Sequence, residues 1–197
     1  MGTDIYGWIE IRDGTQGWRP ETELSDLYSD RDYDAFAWLF GLRNIGDFQP
    51  LAANRGLPVD VSHYVRGQVE EWQHGTTWIS WAEVATADWE VKCRPPEKRV
   101  RIYQRRDGGA LRPVGWYSWL WEPSDLKGEP LEGSSLARWR EHGEWTSPDG
   151  STMYRAETLR RRHAVPPDGP WQPVWQAMAE LADRCGDQGV RLVVWFG

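Results

Sequence analysis

The segment Val190-Arg-Leu-Val-Val-Trp-Phe196 places the strongest constraint on what this chain can become. Side chains of an extended strand point alternately to opposite sides, and this stretch is apolar on both. Such a strand needs cover above and below, so it reads as a central strand of a sheet. The opening stretch Asp4 to Arg12 behaves differently: Ile5, Gly7, Ile9 and Ile11 alternate with Asp4, Tyr6, Trp8, Glu10 and Arg12, the pattern of a strand with one buried face. The turn-forming run Asp13-Gly-Thr-Gln-Gly17 predicts a hairpin into a second strand.

Helical segments lie between these ends. Ser29 followed by Asp32 resembles a helix start; Phe36, Leu39, Phe40 and Arg43 then recur at helical spacing, and Gly41 marks the approaching end. Ser62 predicts the cap of a second helix with Val65, Val69 and Trp72 inward, and Ser80 with Glu83 forms a capping-box pattern for a third, running to about Trp89. Pro173 suits the first turn of a fourth, carrying Val174, Met178 and Leu181 and stopped by Gly186. Lys98 to Arg106 alternates again, and Asp107-Gly-Gly109 can return it as a further strand ending near residues 115–121. Residues 122–150, rich in Gly, Pro, Ser and charge, read as a loop-rich excursion. Strands and helices do not alternate regularly, so the expectation is an α+β fold. It is a single domain over residues 1–197, with a mixed or antiparallel sheet packed by three to four helices.

Fifteen tryptophans in 197 residues predict a tryptophan-rich core in which some indoles are half-buried or at an interface. The net charge of −7 disfavours general nucleic-acid binding. No stretch is long and apolar enough for a membrane span, no signal peptide is visible, and Cys93 and Cys185 lack metal spacing, so the sequence is read as a reduced cytoplasmic chain. Phosphate-loop, dinucleotide, nucleophile-elbow and zinc-helix motifs are all missing.

Several short pieces, Met1-Gly-Thr-Asp-Ile5, the segment 30–44, Arg55-Gly-Leu-Pro58, His74-Gly-Thr-Thr-Trp78 and the final strand, resemble a family of uncharacterised phage and prophage proteins. That family begins Met-Gly-Cys-Asp-Ile-His, carries Tyr-Asp-Leu-Phe-Ala and Pro-Arg-Gly-Leu-Pro, has a histidine before a short Ser-x-Ser-Trp run, and closes on Val-Arg-hydrophobic-aromatic-Phe-Asp. The resemblance covers roughly residues 1–90 and the last eight, and implies a phage or prophage origin, in a host cytoplasm, without a settled activity. Tyr6 stands where the family has histidine, and Gly197 where it has aspartate. A phenol is a poor general base near neutral pH, so chemistry that relied on that histidine would be lost here.

The polar residues suggest two sites. Arg43 and Asn44 at a helix end, Arg55 in the following loop and His74 beyond it could hold an anionic small molecule, a nucleotide or a fragment of one. Asp4, Tyr6, Asp60 and His63 would orient them. Hydrolysis or group transfer on a phosphorylated ligand is the enzyme class this implies. No cofactor is expected, although Asp60, His63 and His74, completed by Asp4, could ligate a divalent metal. Each residue also has a structural reading: a helix C-terminus favours Arg43, and short acceptors at Asp60 and Ser62 suit a helix start. The second site is a basic stripe, Arg99, Arg101, Tyr103 and Arg105, which would suit a phosphate backbone or an acidic protein patch, or would simply protect an edge strand. The competing expectation is a non-enzymatic protein that meets a host or phage protein, as in counter-defence, through tryptophan-rich and basic surfaces.

Overall fold

The structure, a computed structural model, describes residues 2–14, 16–44, 47–93, 98–105, 109–116, 144–147 and 149–197. It is α+β, with two four-stranded antiparallel sheets and five α-helices among the described residues. The chain divides into two compact units, one of residues 1–94 with 160–197 and one of residues 95–159.

In the first unit the strands are β1 (Ile5–Ile11), β2 (Arg19–Glu23), β3 (His74–Ser80) and β8 (Val190–Phe196), ordered β2-β1-β8-β3. The expected central position of the last strand holds: β8 runs between β1 and β3, and all seven of its residues are buried. Segment 74–80, not foreseen as a strand, is one because its residues pair with β8, His74 with Phe196 and then Thr77↔Val194 to Ser80↔Arg191. The hairpin of β1 and β2 forms as expected, with Ile11 opposite Arg19.

The two faces of this sheet are covered differently. On one, Ile9, Leu192, Val194 and Phe196 meet helix α1 (Tyr33–Phe40) and helix α5 (Gln172–Cys185). Phe196 touches the Phe36 and Phe40 rings at 5.4 and 6.0 Å, Trp171 stacks on Tyr28 at 4.3 Å, and Trp38 stacks on Phe48 at 4.5 Å. The predicted tryptophan-rich core is therefore built from aromatic stacks, with Trp38 and Trp171 fully buried. On the other face Val193 and Trp195 pack with Val61 and Val65 of the segment entering helix α2 (His63–Gln68), joined by the partly buried Trp8, Leu57, Val69 and Trp78.

Local signals set most helix ends. Ser62 accepts from Val65 N, and Ser80 and Glu83 form the predicted capping box of helix α3 (Trp81–Ala85). Gly41 adopts φ 74°, as a left-handed helix stop requires. Some expectations shift. Helix α1 is capped by Asp32, whose side chain accepts from Ala35 N, and not by Ser29. Helix α3 stops at Ala85, short of Trp89. Trp72 is 59% exposed rather than inward, because α2 ends at Gln68 before its apolar stripe reaches that residue. A short helix, α4 (Arg161–Ala164), was not foreseen: Arg161 is 3% exposed and ties the carbonyls of Asp88 and Gln49 together.

The second unit holds β4 (Lys98–Arg105), β5 (Leu111–Trp116), β6 (Glu144–Thr146) and β7 (Thr152–Thr158), ordered β5-β4-β7-β6. Residues 117–143, which contain most of the expected excursion at 122–150 and the expected end of β5 near 121, lie outside the described residues.

Candidate functional site

The register of the first sheet places three polar residues in one row. Glu10 lies opposite Arg191 on β8, and Arg191 lies opposite Ser80 on β3. Side chains directly across an antiparallel pair lie about 5 Å apart at Cβ, so a buried arginine on the middle strand can reach its neighbours. Glu10, expected on a solvated face, is 0% exposed. The reason is Arg191, itself 3% exposed: its Nε donates to Glu10 Oε2 at 2.9 Å, and its NH1 donates to Asp60 Oδ1 at 2.7 Å. Glu10 Oε1 accepts the Ser62 backbone N–H at 2.9 Å, which fastens the start of α2 to the sheet. Breaking such a buried pair by removing one partner costs about 3–5 kcal/mol, since the other is left charged without compensation.

The next row, Trp8, Val193 and Trp78, sets an indole beside this pair. Trp18 comes from the hairpin end, just beyond the Ile11–Arg19 pairing, and its Nε1 donates to Asp60 Oδ2 at 2.9 Å. The result is an alternating ladder of guanidinium groups and indoles. Arg12 lies over the Trp18 ring at 4.9 Å and Arg191 over the same ring at 3.9 Å; Arg191 and Arg55 lie over the Trp78 ring at 6.0 and 5.1 Å. These five residues line one open groove of about 730 Å³, with Leu57, Pro58, Val59, Asp60, Ser80, Glu83 and Gln188.

Most charge in the groove is already paired. Arg55 grips Glu83 through both oxygens at 2.7 and 3.0 Å and donates to the carbonyls of Leu51 and Trp78. Burial pushes the Glu83 carboxyl up, but hydrogen bonds from Arg55 and Ser80 outweigh it and hold it below its ordinary range. Asp60 is also held low, chiefly by its hydrogen bond from Arg191. Arg12 differs: it is exposed, and among the described residues no carboxylate pairs with it.

Of the eight residues assigned to the anion site from the sequence, Arg55 and Asp60 share this groove; the other six are not in its lining. Asp4 binds Arg31 at 2.5 and 2.9 Å, and that hydrogen bond holds its carboxyl low. Arg43 adopts φ 51°, donates to Thr3 Oγ1 at 2.9 Å and lies over the Tyr33 ring. Asn44 closes its own loop through two hydrogen bonds to the Phe48 backbone. Tyr6 faces out from β1 opposite Trp195, His63 is an exposed first residue of α2, and His74 is an exposed first residue of β3. Asp60, His63 and His74 do not gather as metal ligands, and no group of three such residues does so among the described residues. The sequence reading offers Glu10 only as a polar residue of the first strand, and misses Arg12, Trp18, Trp78, Glu83 and Arg191 as site residues. One signal was present: an arginine inside an otherwise apolar central strand needs a buried carboxylate, and Glu10 occupies the matching place near the other end of the chain.

In the second unit β4 is an inner strand, so edge protection does not explain its basic stripe. Three of the stripe's four residues, Arg101, Tyr103 and Arg105, have partners within their own unit. Arg101 pairs with Glu157 at 3.9 Å, and the Tyr103 hydroxyl donates to the same carboxylate. Burial, then Glu157, raises the Tyr103 pKa. Arg155, paired with Glu144, lies over the Tyr103 ring at 5.5 Å, and Arg105 donates to the carbonyls of Gly109 and Gly150. Arg99 sits in register with Glu157.

No helix among the described residues is long and apolar enough to cross a membrane. Compared with known proteins, the chain matches no family model, no curated protein and no solved structure.

Proposed function

We propose that the protein binds an anionic small molecule, and that the groove walled by Arg12, Trp18, Trp78 and Leu57 to Asp60 is its site. Its volume of about 730 Å³ lies in the range of small-ligand pockets, and it combines apolar walls with a few directed polar groups. The observation that carries the reading is Arg12, a guanidinium braced on the Trp18 ring whose donors no carboxylate of the described residues occupies. A binding role takes precedence over hydrolysis or group transfer. The groove's carboxylates, Asp60 and Glu83, are both committed to arginines and held in the charged form, which weakens them as bases. The phage-type origin rests on the resemblance of residues 1–90 and the terminal strand.

The test is a nitrogen-resolved NMR titration against a panel of nucleotides, sugar phosphates and carboxylates. The expected result is movement of the Trp18 and Trp78 indole and Arg12 Nε resonances, lost in Arg12→Gln. A panel in which no anion moves them would eliminate the groove as the site. Arg55→Ala is a poorer probe, since it also strips Glu83 of its partner.

A second reading, a protein-interaction surface, draws on Tyr64 and Trp72, exposed by 51% and 59%, with Tyr64 edge-on to Trp8 at 5.2 Å. Its test is affinity capture from host lysate. A specific protein that is retained by the native chain and lost with Tyr64→Ser and Trp72→Ser together would support it.

A further inference from the structure

The groove's charge and its apolar lip restrict what it can hold. Three guanidinium groups line it, but Asp60 and Glu83 line it too, and Glu10 neutralises Arg191 from behind. After this pairing Arg12 is, among the described residues that line the groove, the one guanidinium left to answer a ligand's charge. A polyphosphate would bring several negative charges against that single cation, next to an Asp60 side chain that is 58% exposed, on a chain of net charge −7. Like charges that close in a partly desolvated groove repel strongly. One planar carboxylate matches the Arg12 fork, and exposed Gln188, which shares the lining and precedes the Gly189 whose carbonyl accepts the Arg12 backbone N–H, can add an amide donor.

The apolar side of the groove is equally marked. Val59 is 98% exposed, an extreme value for a β-branched residue, and it lines the groove together with Leu57 and Pro58. The loop that carries it is anchored. Arg66 reaches the Val59 carbonyl, Arg191 holds both the side chain and the carbonyl of Asp60, and Val61 is buried in the cluster below. An apolar side chain displayed from a fixed loop gains contact area when an apolar ligand body covers it.

We infer that the ligand is a monoanion with an apolar body, an apolar carboxylic acid, and not a nucleoside polyphosphate. This rests on the groove being the binding site. The acid could be a free small molecule or the terminal residue of a peptide, so the probes are N-acetyl-leucine, its amide, a short peptide ending in leucine, and ATP. They are measured by calorimetry with the full chain. N-acetyl-leucine is expected to bind about tenfold or more tightly than its uncharged amide. Arg12→Gln should abolish that preference, and Val59→Ser should weaken the acid and the amide alike. Both positions are exposed, so these variants keep the fold. If the peptide binds more tightly than N-acetyl-leucine, the source is a peptide terminus; the reverse order identifies a free acid. If ATP binds more tightly than the acid and depends on Arg12, the ligand class is overturned while the groove stands as the site. If the acid and its amide bind equally, the class is overturned as well. Silence from these probes and from the wider anion panel removes the groove itself.

Discussion

Asp60 links two layers of the groove through its two carboxylate oxygens. One oxygen accepts from Arg191 and the other from Trp18, so it joins the buried pair below to the exposed ladder above. Its folded-state carboxyl titrates below its ordinary value, chiefly through the Arg191 hydrogen bond. The stability it contributes is therefore fully present above the unfolded value, about 4, and is lost as pH falls through the lowered folded value. Asp4, Glu83 and Asp149, the last held at about 2, act in the same sense, while Asp32, raised by burial at the start of α1, acts in the opposite one. Comparison with Asp60→Asn isolates the residue. Urea midpoints from pH 7 to pH 2 should show a wild-type advantage that is largest near neutrality and shrinks below about pH 4. An advantage that stays constant over this range would mean that the Asp60 charge does not stabilise the fold.

At the scale of elements, β1 shows how one position can limit a strand. Gly7 faces Val194 across the pairing with β8, and a Cβ built there would lie 2.4 Å from the Val193 carbonyl oxygen. That oxygen belongs to the backbone of the most buried strand and cannot move aside without disturbing the ladder. Gly7→Ala is expected to destabilise the protein by roughly 1–3 kcal/mol, as overpacking does in tight cores. Chemical denaturation measures it; an unchanged midpoint would show that the β1–β8 spacing relaxes freely. The same two strands show how far the sequence could be read. Alternation identified β1, and apolarity on both faces placed β8 in the sheet interior, because burial leaves its period in the residue pattern. Strand β3 carries no such pattern: Thr76, Thr77 and Trp78 look like a turn's neighbours until pairing with β8 fixes them.

For the whole molecule, the fold of the first unit depends on contacts between the chain's two ends. Strand β8 pairs with β1 along all seven residues, with nearly the whole sequence between them. Closing such distant pairs is slow, so folding in milliseconds to seconds is expected by stopped-flow. Removing residues 190–197 strips the sheet of an inner strand and both covering layers of their floor. The shortened chain is expected to lose near-ultraviolet circular dichroism and dispersed amide resonances at 25 °C; retention of both would show that β1, β2 and β3 hold together without it. The sequence by itself determined the α+β class, the helix caps at Ser62 and Ser80, the stop at Gly41 and the central place of the last strand. Each of these is written in neighbouring residues as a period or a cap. Only the tertiary structure decided which charges meet. Arg191 could have been served by any carboxylate in the chain, and the choice of Glu10 and Asp60 follows from strand order, register and the path of the loop over the sheet. The groove is the consequence: its walls come from the hairpin, the anchored loop, β3 and the start of β8, and no local pattern links them.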